Sequence, residues 1–186
     1  MTPILPYGTW PSPLSPARIV EQAAQPVDTW IDGDDVYWSE TRPSEGGRIQ
    51  IVRHRGGETS DLLPDGFNAR TRVHEYGGGA WWVLAGVVYF TNWADQRLYR
   101  LEDGAEPRPV TPEPPEPVAW RYADGRIVAE HGAVVCVRED HTGGGEARNE
   151  IVAFAADGGG ETRLLVTGRD FVASPRVDPS ASRIAW

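Results

Sequence analysis

Ala80-Trp81-Trp82-Val83-Leu84-Ala85-Gly86-Val87-Val88-Tyr89-Phe90-Thr91-Asn92 contains two apolar runs, 80–84 and 87–91, preceded by Gly77-Gly78-Gly79. Neither run alternates apolar with polar residues. A strand that shows water one face alternates, whereas one covered on both faces reads as continuously apolar. The pair therefore predicts short strands in a sheet sandwiched between neighbouring sheets. Similar short runs extend on both sides: residues 35–39, 48–53 and 97–101, then 127–129, 133–137, 151–154, 162–166 and 183–186, nearly all separated by Gly, Asp, Asn or Pro. Residues 48–53 alternate loosely and suit an outer position.

The runs also repeat. Val36-Tyr37-Trp38, Val88-Tyr89-Phe90, Val134-Val135-Cys136 and Ile184-Ala185-Trp186 recur at intervals of about 50 residues. Gly56-Gly57-Glu58-Thr59-Ser60-Asp61-Leu62-Leu63 and Gly159-Gly160-Glu161-Thr162-Arg163-Leu164-Leu165 resemble each other as the hairpin before an outer strand. Such a period, holding four short strands, is that of a propeller blade. The expectation is an all-β fold, a partial β-propeller of about three and a half four-stranded blades. An N-terminal arm and short helix occupy 1–26, and the incomplete propeller occupies 27–186, with blades at about 27–65, 78–112 and 118–168 and the start of a fourth at 171–186. Ser15 as cap, Pro16 in the first turn and residues 17–24 predict the helix. Asp178-Pro179-Ser180-Ala181-Ser182 reads as the turn between the first two strands of the last blade. The sequence reads as cut off within that blade. An open arc leaves a sheet face and a strand edge bare, which predicts self-association.

Composition narrows the function classes. Of 186 residues, 18 are basic, all of them arginine, and 27 are acidic, for a net charge of −9. That balance disfavours nucleic acid as a partner. The single cysteine, Cys136, excludes an intrachain disulfide framework and reads as a small buried side chain. There is no signal-peptide pattern and no apolar run of membrane-spanning length, so the sequence reads as cytoplasmic with no membrane partner. His74-Glu75-Tyr76-Gly77-Gly78 begins like a zinc-binding helix motif but has glycine where the second histidine belongs. Asp32-Gly33-Asp34-Asp35 lacks the oxygen ladder of a calcium loop and reads as a hairpin turn. Gly143-Gly144-Gly145 and Gly158-Gly159-Gly160 lack the Lys-Ser/Thr of a phosphate loop. Arg138-Glu139-Asp140-His141 has no nucleophile beside it and reads as locally paired charges at a strand end. The four histidines do not recur with the blade period, which counts against a metal-dependent propeller hydrolase. No metal or cofactor is expected.

Tyr7-Gly8-Thr9-Trp10-Pro11-Ser12-Pro13, Thr71-Arg72-Val73-His74-Glu75-Tyr76-Gly77-Gly78-Gly79-Ala80-Trp81, Val137-Arg138-Glu139-Asp140-His141, Asn149-Glu150-Ile151-Val152-Ala153 and Ser174-Pro175-Arg176-Val177-Asp178-Pro179-Ser180 follow one another in an order that resembles the prolyl oligopeptidase family. The similarity is to its acylaminoacyl-peptidase or dipeptidyl-aminopeptidase-like branch. The resemblance implies a serine peptidase in which an N-terminal β-propeller caps a C-terminal α/β-hydrolase domain and admits short or flexible peptides. No Gly-x-Ser-x-Gly elbow and no βαβ alternation occur in this sequence, so the hydrolase domain and its Ser, Asp and His are absent and the chain alone should not cleave peptides. The partners implied are that hydrolase domain and a peptide substrate. Arg72, His74 and Glu75 are the candidate substrate-binding residues, with Glu75 as acceptor for a peptide ammonium group. The three glycines after them suit positive φ and close backbone approach at the start of a blade. The alternative is a stand-alone, self-associating propeller that acts as a binding module.

Overall fold

A computed structural model of the chain describes residues 4–20 and 23–186. The arm leads into a single helical turn, α1 (Pro16–Val20), started by a Ser15 Oγ that accepts from the Arg18 N–H at 3.1 Å. The sequence expectation of a helix over 17–24 is corrected on this point. The described helix covers Pro16–Val20, Ala23 and Ala24 are not helical, and Glu21 and Gln22 lie outside the described residues. So short a turn cannot repay helix nucleation without a buried face, and residues 16–19 lie exposed.

Fourteen strands follow: β1 (Gln25–Asp32), β2 (Asp35–Arg42), β3 (Arg48–Arg55), β4 (Glu58–Asp61), β5 (Trp81–Leu84), β6 (Val87–Thr91), β7 (Leu98–Leu101), β8 (Arg108–Pro109), β9 (Trp120–Val128), β10 (Ala133–Asp140), β11 (Arg148–Ala155), β12 (Arg163–Arg169), β13 (Arg176–Val177) and β14 (Ile184–Ala185). They form three four-stranded antiparallel meanders, β1–β4, β5–β8 and β9–β12, and one two-stranded sheet, β13–β14. The first strands of successive sheets, β1 with β5, β5 with β9 and β9 with β13, abut one another. The sheets therefore radiate from a common line as blades, and the fold is a partial β-propeller. All four repeats of the sequence motif fall on the second strand of a sheet: β2, β6, β10 and β14. The first strand starts at Gln25, earlier than the composition shift at Val27, because Pro26 sits at an edge where no ladder donor is required.

The continuously apolar runs have a simple physical reading. Odd and even residues point to opposite faces of a strand, and here each face meets a different neighbour. Trp81, Val83, Val88 and Phe90 pack with Tyr37, Ile51 and Leu63 of the first blade. Trp82, Tyr89 and Leu98, on the reverse of the same sheet, pack with Tyr122, Val134, Cys136, Val152 and Phe154 of the third. In turn Val135, Val137 and Ile151 pack toward Val172, Val177 and Ile184. Three cores thus lie between four sheets.

Candidate functional site

The linker between the first and second blades carries Arg72, His74 and Glu75, and it crosses the face of the arc at which β5 and β9 begin and β10 ends. It is anchored to the second and third blades. The Arg72 N–H donates to Gln96 Oε1 at 2.7 Å, and Thr71 Oγ1 donates to the Tyr122 carbonyl at 2.7 Å. Val73 is fully buried between the third blade and Val172. His74 and Glu75 both take positive φ, 57° and 63°, a conformation that costs non-glycine residues energy and persists only where surrounding contacts enforce it.

Gly77 has φ 90°. A Cβ on Gly78 would lie 3.1 Å from the Ala123 Cβ, and one on Gly79 would lie 2.9 Å from Asp124 Oδ1. The glycines therefore let the linker touch β9. That strand bulges at Asp124 and Gly125, where pairing with β10 shifts register and Asp124 takes φ 56°. The bulge aims the Asp124 carboxylate at two backbone donors, the N–H of Gly79 at 2.6 Å and that of Ser174 at 2.9 Å. One side chain thus joins the approaches to the second, third and fourth blades.

The three candidate residues meet different environments. The His74 side chain is only 4% exposed, its ring stacked on Phe171 with centroids 3.9 Å apart. Its backbone N–H donates to Glu139 Oε1 at 2.6 Å, and its Nδ1 lies 3.3 Å from the same oxygen. Glu139 is itself buried and also faces His141 Nε2 at 3.2 Å and Arg121 Nη1 at 3.8 Å. Glu75 is the opposite case, with its side chain 79% exposed. Arg121 Nη1 donates to Glu75 Oε1 at 2.7 Å, and this bond, with the arginine's charge, holds the Glu75 carboxyl below the usual range. Glu75 is therefore a fixed anion on an open face. Arg72 lies 4.2 Å from the centroid of the Trp93 ring.

Arg121, Glu139, Asp124, Trp93 and Phe171 belong to this site and were not selected from the sequence as its members. Glu139 and His141 had a readable signal, because they share strand parity with Val135 and Val137 and so point to the face that the linker covers. Their neighbours do pair locally, Arg138 with Glu150 and Arg148 with Asp140. Among the described residues no group of three or more His, Cys, Asp or Glu could hold a metal ion. Among the same residues no helix is long and apolar enough to cross a membrane.

No family model and no curated protein matches the sequence. Solved structures do. A puromycin-hydrolyzing peptidase of Mycobacterium tuberculosis is 41% identical, with a TM-score of 0.86 over 98% of this chain and 30% of its own. A puromycin hydrolase is 35% identical, with a TM-score of 0.84 over 95% of this chain and 30% of its own. A mutant puromycin hydrolase complexed with PGG gives 35% and 0.85 over 98% and 31%. The chain spans about a third of the length of these proteins. Similarity in both sequence and shape along nearly the whole chain means that, through its propeller portion, it belongs to the prolyl oligopeptidase family.

Proposed function

We propose that the chain is the cap of a peptide hydrolase of the acylaminoacyl-peptidase or dipeptidyl-aminopeptidase type, acting in the cytoplasm as gate and filter for short peptides above an α/β-hydrolase domain. The observation that carries the reading is the match to puromycin-hydrolyzing peptidases over 98% of the chain. The face crossed by the linker supplies the filter. Glu75 is an exposed carboxylate kept ionised by Arg121, suited to an ammonium group at the N-terminus of a peptide.

The test compares this chain alone with the complete gene product on puromycin and on aminoacyl and N-acetylaminoacyl substrates. The chain alone is expected to be inactive. In the complete product, Glu75→Gln should raise KM for substrates with a free N-terminus by about tenfold, the weight of one charge-assisted hydrogen bond, with kcat and the N-acetylated substrates little changed. Equal KM values for both substrate classes would remove Glu75 from the site, and an inactive complete product would remove the peptidase reading. A second reading, a self-associating binding module, is favoured by the apolar sheet face that the first blade leaves exposed at Ile31 and Val36. A stop codon directly after Trp186 would support it.

A further inference from the structure

Beside the Glu75 anion lies an unspent pair of cations. The guanidinium carbons of Arg70 and Arg72 lie 4.4 and 4.2 Å from the centroid of the same Trp93 ring, which sets the two charges within about 9 Å of each other. At that spacing their repulsion is only partly screened by physiological salt. Other arginines of this acidic chain recruit carboxylates: Arg42 takes Glu40, Glu45 and Asp61, and Arg121 takes Glu75 and Glu139. Among the described residues neither Arg70 nor Arg72 has an acidic partner. Arg72 Nε is buried with no hydrogen-bond acceptor, as are those of Arg53, Arg100 and Arg121, but those three reach carboxylates through a terminal nitrogen and Arg72 does not.

The frame that holds this pair is rigid. Gln96, fully buried and at φ 58°, accepts from the Arg72 N–H and donates through Nε2 to the Trp93 carbonyl at 3.0 Å. The Trp93 N–H donates to the Asn68 carbonyl at 2.9 Å, and the Arg70 N–H to the Thr91 carbonyl at 3.0 Å. Arg70 also borders a cleft of about 180 Å³ lined by Asp28, Thr71, Tyr76, Gly78 and Trp81. Two planar donor forks, held at one aromatic ring and short of acceptors, suit a planar carboxylate.

We propose that Arg70 and Arg72, held against Trp93, form a site for the C-terminal carboxylate of a short peptide. The identity of the ligand rests on the peptidase reading, and the pair extends it. Glu75 selects a free amino end, and the arginines select a free acid end on the same face. A peptide engaging both would be measured for length before it reached any catalytic groups.

The experiment is an NMR titration of this chain at low salt, following the Trp93 indole N–H, identified by its loss in Trp93→Phe. Acetyl-triglycine with a free carboxylate is compared with the same peptide as its amide, the acetyl group keeping Glu75 out of the comparison. The acid is expected to shift the resonance saturably, the amide to bind at least tenfold more weakly, and Arg72→Gln to weaken the acid at least tenfold. The remote substitution Arg163→Gln, which changes net charge equally, should leave affinity unaltered. If Arg72→Gln does not fold, Arg70→Gln serves in its place. Equal binding of acid and amide, no shift with either, or no effect of Arg72→Gln overturns the proposal. Acetate binding as tightly as the peptide also overturns it, since that is an adventitious ion only. Binding is read here without hydrolysis, so an inactive gene product would leave this result standing.

Discussion

Asp140, the last residue of β10, accepts from the Thr142 N–H at 2.9 Å, from Thr142 Oγ1 at 2.6 Å and from Arg148 Nη2 at 2.5 Å. Burial pushes this carboxyl up, but the bonds from Thr142 and Arg148 outweigh it and hold the group at about 2. Because the folded value lies below the unfolded one, the ionised form stabilises the fold fully above the ordinary carboxylate range. That contribution is lost as pH falls from about 4 toward 2. Thr142→Ala keeps the backbone donor and removes the hydroxyl, so it should cost about 1 kcal/mol at neutral pH and move the acid-unfolding midpoint to higher pH. Circular dichroism across an acid titration reads this, and a midpoint that does not move would show that the hydroxyl bond contributes nothing. Glu139, one residue earlier, points to the other face and serves the site instead. Adjacent acids thus divide between holding a hairpin and holding the linker, a division set by strand parity alone.

β5 and β9 come together through Trp82 and Gly125. The indole lies parallel to Tyr89, 2° from coplanar orientation, and its six-membered ring covers the position a Cβ on Gly125 would occupy, only 1.9 Å away. Gly125→Ala cannot be absorbed by a flexible tip, so Trp82 or the bulged backbone must shift. The expected loss is about 2–3 kcal/mol, lowering the melting temperature by about 5 °C or more. Trp82→Phe combined with Gly125→Ala should cost less than the sum of the two, and strict additivity would show that the ring is not the obstacle. Sequence reading went far with such strands, because an apolar run covered on both faces and a turn-bounded repeat of about 50 residues are local patterns. It fell short where partners are distant. The short strand β8 and the first seven residues of β9, Trp120–Arg126, carry too few apolar residues in a row to stand out. At the site, the sequence offered Arg72, His74 and Glu75 as one group. What separates them, a stack on Phe171, a bond from Arg121 and a contact with Trp93, depends on residues up to about a hundred positions away that only tertiary packing brings close.

The arc as a whole shows two unlike end surfaces. On the first blade Ile31 of β1 is 75% exposed and pairs in register with the exposed Val36 of β2. At the other end, the third blade's outward face is covered in part by β13 and β14, which leaves a cavity of about 340 Å³ lined by Val135, Ala153, Leu165, Val177 and Ile184. Trp186, two residues beyond Ile184, lies about half exposed. Apolar surface of this kind, beyond a few hundred Å², commonly finds a protein partner. A second copy can supply one, because each copy has both a bare sheet face and a cavity lined largely by aliphatic side chains. Sedimentation velocity on this chain at micromolar concentration should therefore show species heavier than the monomer. Ile31→Lys should shift the distribution toward monomer without lowering the melting temperature, since an exposed side chain contributes little to the folded monomer. A wild-type chain that sediments as a single monomer, or an Ile31→Lys variant that associates as strongly as wild type, would rule out this face as the contact.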